Sequence, residues 1–281
     1  MKKDKLYYTD FIAVGDCVEF EKNKDGTGVI TKIDNRKNYI SRKAPKIKGA
    51  SYRGERLEQV IAANIDSMVV VTSIHFPDFN NRVLDRFLIT AESSHITSII
   101  VINKIDLDER LIAREWKNLY EKIGYDVILT SAESNSGIKE LENSISNKKN
   151  LFWGHSGVGK SSILNKMFPD LNLKIGEVSN YSLKGKHTTV TATMIKVKEN
   201  TFVIDTPGLR EIDPYGIQKI DLGHYFIEFK DFISECRFNT CTHHHEPGCG
   251  VIDAVEKELI SFERYESYLR LLETIEEDIN F

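Results

Sequence analysis

Residues 151–164, LFWGHSGVGKSSIL, constrain this chain more than any other stretch. An apolar strand runs into a glycine-rich turn, and a helix starts near Gly159. Gly154, Gly159, Lys160 and Ser161 fit the spacing G-x-x-x-x-G-K-[ST] of a phosphate-binding loop. Such a loop closes backbone N–H groups around phosphate oxygens, in conformations that Gly154, Gly157 and Gly159 adopt without a Cβ in the way. Lys160 can reach the β and γ phosphates, and the Ser161 hydroxyl can ligate Mg²⁺. The new helix turns its positive end toward the anion. A glycine turn that merely precedes a helix is the bland alternative; the strand in front and the helix behind argue against it.

Three more segments extend this reading to guanine nucleotides. Asn103-Lys104-Ile105-Asp106 closes a buried apolar strand. The Asp106 carboxylate can accept from guanine N1–H and the exocyclic amine, a donor pair adenine lacks. Asn103 and Lys104 would brace that loop. Ser131-Ala132 ends the next strand, where a backbone amide can support the guanine oxygen. Asp205-Thr206-Pro207-Gly208 follows another apolar strand; there Asp205 can hold Mg²⁺ through water and the Gly208 amide can sense the γ-phosphate. Gly185-Lys186-His187-Thr188-Thr189 lies between, where a first switch segment belongs, with Thr189 favoured slightly over Thr188 for the Mg²⁺ shell. The order is unusual. The base-reading segments precede the phosphate loop, so the same site is built from a circularly permuted chain.

From Ile65 onward the chain alternates apolar strands (65–74, 98–103, 127–131) with helical stretches (81–92, 109–123, 137–145). Strands at 191–198 and 201–206 follow the phosphate loop. Apolar strands of this kind are buried on both faces of a largely parallel α/β sheet. Residues 1–62 read differently, as short alternating strands near 12–21, 27–34, 38–43 and 56–65, the pattern of a small β-barrel. Between Thr31 and Arg56 nine Lys/Arg face two acids, a local +7 in a chain of net charge −4. With Tyr39 and Tyr52 this charge suits RNA contact on an OB-type barrel, a solvated basic loop being the alternative.

Past Pro214, residues 222–235 read as helical and 253–279 as one charged helix, with Leu259, Phe262, Tyr265, Leu269 and Leu272 as its apolar stripe. Between them, Cys236-x4-Cys241-x-His243-x5-Cys249 offers three thiolates and an imidazole, the ligand set of a closed, structural zinc site. His243, His244 and His245 are consecutive, and spacing alone leaves open which of them binds. Cys17, in an apolar segment, reads as a small buried side chain. No apolar run reaches the ~20 residues of a membrane span, and the N-terminus shows no signal-peptide pattern, so a cytoplasmic protein is expected.

These residues together resemble the RsgA/YjeQ family of ribosome small-subunit-dependent GTPases over essentially the whole chain. The resemblance rests on Val14-Gly15-Asp16, the permuted order, G-H-S-G-V-G-K-S-S at 154–162, G-K-H-T-T at 185–189, D-T-P-G at 205–208 and C-x4-C-x-H-x2-E-P-G-C at 236–249. It implies an OB-fold ribosome-binding domain (1–62), a circularly permuted α/β P-loop GTPase domain (63–220) and an α-helical zinc-binding domain (221–281). It also implies GTP hydrolysis to GDP, stimulated by the small (30S) subunit late in its maturation, in a monomer without membrane attachment. The implied nucleotide set is Asn103, Lys104, Asp106, Ser131, Ala132, Gly154, His155, Ser156, Gly157, Val158, Gly159, Lys160, Ser161, Ser162, Asp205 and Gly208. Mg²⁺ would use Ser161, Thr189 and Asp205, and one structural Zn²⁺ would use Cys236, Cys241, His243 and Cys249, the family motif choosing His243. Lys160, Thr189 and His187 are the implied catalytic residues. His187 stands in for the water-orienting glutamine of Ras-like GTPases, because Leu209 follows D-T-P-G here. Lys186, where arginine is common, and a modest C-terminal extension are the departures. A passive RNA-binding module that keeps nucleotide as a structural ligand is a rival reading. So is a permuted GTPase of the large subunit or a membrane.

Overall fold

The structure, a computed structural model, describes residues 12–43, 58–171, 173, 192–206 and 216–275. At the N-terminal end β1 (Val18–Lys22) pairs antiparallel with β2 (Gly28–Ile33), and β3 (Tyr39–Lys43) pairs antiparallel with β4 (Glu58–Ala63). A parallel bridge from Val14 to Ala62 links the leading segment to β4. The Val14-Gly15-Asp16 turn has a steric reason. Gly15 has φ +98, and a Cβ there would lie 2.0 Å from the Ala63 carbonyl oxygen. Asp16 completes the turn by accepting from the Ala13 amide (2.8 Å) and from Arg36 Nε (2.7 Å) and Nη2 (2.8 Å). Burial by itself would raise the Asp16 carboxyl; the Arg36 and Ala13 hydrogen bonds outweigh it and hold the group below the usual carboxylate range. Cys17 departs from expectation. Its side chain is exposed, because the strand it leads into shows most of its residues to solvent.

The central sheet has six strands: β5 (Ser67–Ser73), β6 (Thr97–Asn103), β7 (Asp126–Leu129), β8 (Lys149–Trp153), β9 (Thr193–Lys198) and β10 (Thr201–Asp205). Their order is β7-β6-β5-β8-β10-β9, all parallel except β9 against β10. Alternate residues of the apolar strands feed two cores. Met68, Val70, Ile100, Leu151 and Trp153 face α1 (Asn81–Ser93) and α2 (Ile112–Ile123). Val69, Val71, Val101, Phe152 and Val203 face α3 (Ile138–Ser144) and α4 (Lys160–Met167). This is the period of two expected of pleated strands covered on both faces. The helix expected over 109–123 starts only at Ile112, because the Asp108 carboxylate accepts from the Ile112 (3.0 Å) and Ala113 (2.8 Å) amides and ends a 3₁₀ turn there.

The C-terminal segment corrects two expectations. Residues 222–235 are not one helix but 3₁₀ turns at Leu222–Tyr225 and Ile227–Phe229, followed by the short α5 (Lys230–Ile233). Phe226 breaks the run with extended backbone, and its buried ring stacks on Phe229 and meets Tyr268 edge-on. The single helix expected from 253 is two: α6 (Gly250–Glu256) and α7 (Phe262–Thr274). Glu258 takes φ +57 between them, Ile260 is buried, and the Ser261 hydroxyl caps α7. The change of direction resets the helical phase. Leu259 (57% exposed) and Phe262 (66%) therefore leave the expected stripe, while Tyr265 and Leu272 stay buried.

Helix α7 lies on α1 through a buried charge cluster. Arg264 donates to Asp85 and, through Nε (2.6 Å) and Nη2 (3.0 Å), to Glu228, while the Tyr120 hydroxyl donates to Asp85 at 2.7 Å. Burial would lower the Arg264 pKa, but the two carboxylates outweigh that and keep the guanidinium charged. Its plane also covers Phe226, 4.6 Å from the ring centre. Arg264→Met would keep the stem and strand the buried Asp85 and the half-buried Glu228 without a counter-charge, so urea unfolding should show a loss of about 3–5 kcal/mol. A loss below about 1 kcal/mol would mean that the cluster does not hold α7 in place.

Candidate functional site

Strands β5 and β8 are neighbours, yet the chain leaves them toward opposite ends of the sheet. After β5 it moves out to β6 and β7, and after β8 to β10 and β9. A crevice at the carboxyl ends of the strands is the geometric result, the usual ligand position of an open α/β sheet. The segments that start at Ile74, Lys104 and Gly154 meet there, beside the end of β10 at Asp205.

The phosphate-loop glycines are sterically required. Gly154 has φ +149, and a Cβ on it would lie 2.0 Å from the Val71 carbonyl oxygen of the neighbouring strand. Gly159 has φ +97 and sits where a Cβ would come within 2.3 Å of Asn103 Nδ2. Helix α4 then begins at Lys160 with its amides toward the loop, and Ser161 is buried in its first turn. Lys160 Nζ donates to the carbonyls of Gly154 (2.6 Å) and His155 (2.9 Å), which keeps its head over the loop. Burial pushes the Lys160 ammonium down to about 8 against the pull of Asp205. It pushes Asp205, at the end of β10, up to about 6 against Lys160 and the Thr206 amide. A polyanion beside Lys160 and a divalent cation beside Asp205 would each reverse its shift, which is how a dry site selects such partners. Ser156 and Gly157 are exposed at the loop's outer edge, Val158 is buried beneath it, and His155 and Ser162 are half-buried.

The structure joins the other sequence-predicted segment to this loop directly. Asn103 Nδ2 donates to the Val158 carbonyl at 2.8 Å, and Asn103 Oδ1 accepts from the Thr130 hydroxyl at 3.1 Å, so both ends of the amide are used. Lys104 follows in the left-handed region (φ +64), which turns the chain so that Asp106 emerges at the crevice, exposed. Ser131 Oγ donates to Asp106 Oδ1 at 2.5 Å and accepts from the Ser134 amide at 3.0 Å, fixing one carboxylate oxygen and leaving the other. The Ser131 N–H goes to the Ser136 carbonyl (3.0 Å), so of the Ser131-Ala132 pair this amide is already engaged within the protein. His187, Thr188, Thr189, Gly208 and Leu209 lie outside the described residues. Sequence reasoning passed over two contributors here. Thr130 orients Asn103, and the loop 74–80 reaches in from β5, with Lys104 Nζ donating to the Phe76 carbonyl. The signal for the loop was its position, at the carboxyl end of a strand buried except at Thr72.

Cys236, Cys241, His243 and Cys249 also come together, their ligand atoms all within 4.8 Å of one another. His243 Nδ1 is 3.5 Å from Cys236 Sγ and 3.4 Å from Cys249 Sγ, and the two sulfurs are 3.8 Å apart. Ligands bound tetrahedrally at ordinary zinc–sulfur and zinc–nitrogen lengths are separated by about 3.5–3.8 Å. The four groups therefore fit a metal of that kind, and none of the cysteines forms a disulfide. Among the three histidines only His243 turns inward; His244 and His245 are exposed. Glu246 shapes the turn by accepting from Thr242 N (2.8 Å) and Oγ1 (2.6 Å), His244 N (3.0 Å) and His245 N (3.1 Å). Burial would raise its pKa, but these donors outweigh it and hold the carboxyl far below its usual range. Tyr265 Oη donates to the His243 carbonyl at 2.9 Å, tying the cluster to α7.

A six-stranded sheet with a phosphate loop at its switch point, threaded so that the base-facing strands come first, defines a circularly permuted P-loop GTPase. A model of the RsgA GTPase family matches residues 33–215. The small ribosomal subunit biogenesis GTPase RsgA of Chlorobaculum parvum is 42% identical over 273 residues, 96% of this chain and 87% of that one. Its namesake from Phocaeicola vulgatus is 40% identical over 272 residues, 96% of this chain and 86% of that one. Among solved structures, YjeQ from Thermotoga maritima superposes with a TM-score of 0.73 at 34% identity, covering 93% of this chain and 84% of that one. YloQ, described as a circularly permuted GTPase, gives 0.70 at 28% identity over 97% of this chain and 82% of its own. The chain belongs to the RsgA GTPase family and is a GTP hydrolase. No helix among the described residues is long and apolar enough to cross a membrane.

The contact between the two loops yields a direct test. Gly159→Ala would drive a methyl into the Asn103 amide, so GDP affinity measured by titration calorimetry should fall at least about tenfold. Gly157→Ala, in the same loop at φ +84 with only an ordinary 3.7 Å contact to Pro77 Cδ, is the control for the backbone cost alone.

Proposed function

We propose that this GTPase acts on the small ribosomal subunit late in its maturation, as an assembly checkpoint or release factor in the cytoplasm. End-to-end similarity carries this reading: relatives named for that role align with 96% of the chain. The basic stretch between Thr31 and Arg56 supports it, as an attachment for rRNA phosphates. We assign residues 1–62 to an OB-type RNA-binding barrel, 63–220 to the GTPase domain and 221–281 to a zinc-binding domain, in a monomer.

In the nucleotide site Asp106 accepts from the guanine N1–H and amine, with Ser131 fixing its free rotation and the Ala132 amide toward the guanine oxygen. The backbone of residues 154–159 and the first turn of α4, with Ser162 beside Ser161, surround the phosphates. Lys160 balances charge that develops on them. Ser161, Asp205 and Thr189 would hold Mg²⁺, which when bound neutralises phosphate charge in the transition state. The Gly208 amide senses the γ-phosphate, and His187 orients the attacking water where Leu209 has no polar group to do so. Cys236, Cys241, His243 and Cys249 hold one structural Zn²⁺; four protein ligands leave no open position for catalysis.

Two measurements test this. GTP turnover should rise strongly when purified small subunits are added, and His187→Ala should abolish that rise. Stimulation that survives in the variant would keep the ribosome and discard His187 as the water-orienting group. GTP binding with no stimulation at all would favour a passive RNA-binding module. For the metal, elemental analysis should find one zinc per chain, lost in Cys249→Ser; full zinc content in that variant would refute the ligand set.

A further inference from the structure

The loop between β5 and α1, Ile74-His75-Phe76-Pro77-Asp78-Phe79-Asn80, carries no recognised nucleotide motif, yet it lies against two segments that do. Lys104 Nζ donates to the Phe76 carbonyl. On the phosphate-loop side, a Cβ on Gly157 would sit 3.7 Å from Pro77 Cδ, in van der Waals contact. The loop therefore spans from the base-facing lysine to the rim of the phosphate loop.

Phe76 is its unusual residue. It has φ +50, a conformation that bulky side chains rarely adopt. Its ring is 77% exposed, so no core contact compensates the strain. Strain of this kind persists where surrounding bonds over-determine the backbone, and those bonds are present. Ser73 Oγ donates to the Pro77 carbonyl (2.7 Å), the Ile74 amide to the Asn103 carbonyl (3.0 Å) and the Phe79 amide to the Ile74 carbonyl (3.2 Å). At this φ the Phe76 carbonyl accepts from Lys104 Nζ. Lys104 is itself left-handed (φ +64) and sits between Asn103, bonded to the phosphate loop, and the Ile105-Asp106 turn.

We propose that Phe76 is a positioning residue for guanine recognition, acting through its backbone carbonyl, which fixes the Lys104 ammonium and with it the loop that presents Asp106. This rests on the reading of Asn103–Asp106 as the base-reading loop. Recognition then has two anchors. Asn103 ties the loop to Val158 of the phosphate loop, and Lys104 ties it to the strand β5 side. The ring itself takes no part, and the residue's role lies in its φ.

The test separates backbone from ring. Phe76→Gly removes the ring but favours φ +50, whereas Phe76→Ile keeps an apolar side chain of a type that strongly resists it. Because the ring is exposed, neither change opens a core cavity. GDP and XDP affinities would be measured for both variants, for Lys104→Met, and for Phe76→Ile with Lys104→Met. Phe76→Ile should bind GDP about tenfold more weakly than Phe76→Gly, the scale of a lost bond to a charged donor. It should also discriminate GDP from XDP less well, and add nothing further on the Lys104→Met background. Equal weakening in the glycine and isoleucine variants would assign the effect to the ring and overturn the proposal. Additive losses in the double variant would overturn it as well, since Phe76 would then act independently of Lys104. If Lys104→Met bound GDP as tightly as the unaltered chain, both the proposal and the base-reading assignment would fall.

Discussion

A missing Cβ at Gly159 is the constraint on which the site depends. It lets the Asn103 amide come within 2.8 Å of the Val158 carbonyl, and this buried bond connects the end of β6 to the turn before α4. A methyl group there would occupy the space the amide uses. The two loops come from strands on either side of β5, separated by 55 residues in sequence, and each is shaped by a neighbour's backbone. Gly154 fits under the Val71 carbonyl, and Thr130 fills the other end of the Asn103 amide. The two loops, which we assign to phosphate and base, are thus held at a fixed separation by short, buried polar contacts. In a low-dielectric setting such contacts are costly to break, because each leaves an unpaired group behind.

Permutation gives this arrangement a second consequence. The C-terminal segment follows β10, the strand that ends in Asp205, yet it packs on α1, the helix that follows β5. The Arg264 cluster makes that attachment in the interior, and Arg82 to Glu266 (2.8 Å) and Asn81 Nδ2 to the Glu263 carbonyl (3.2 Å) extend it at the surface. The same helix α7 supports the Cys/His turn through Tyr265 on the His243 carbonyl. The metal-ligand cluster is therefore joined to the phosphate side by the chain itself and to the base side by packing. Few topologies would link one small module to both halves of a nucleotide site.

Much of this was legible in the residues. Continuous apolar runs ended at the strands now seen as β5, β6, β8 and β10, because a strand covered on both faces has no polar alternation to blur its limits. The phosphate loop and the Cys/His spacing were legible for a different reason: each is a local pattern whose geometry is set within a few residues. Elements without such self-contained logic were read less well. The 222–235 run was broken by the demand to bury Phe226, and the charged C-terminal stretch was split where Ile260 turned inward. Cys17 was exposed because burial depends on what covers a strand, which its own composition does not record.

By itself the sequence determined the chemistry available, namely which residues can cradle phosphate, read a base or bind a soft metal, and in which chain order they come. It could do so because these capacities belong to side-chain types and short spacings. Tertiary structure alone decided that Ser131 spends its amide on Ser136 and its hydroxyl on Asp106, and that the Phe76 carbonyl accepts from Lys104. Those outcomes are contacts between residues far apart in the chain or turned by a local φ, and their energies exist only once the sheet has brought the strand ends to one crevice.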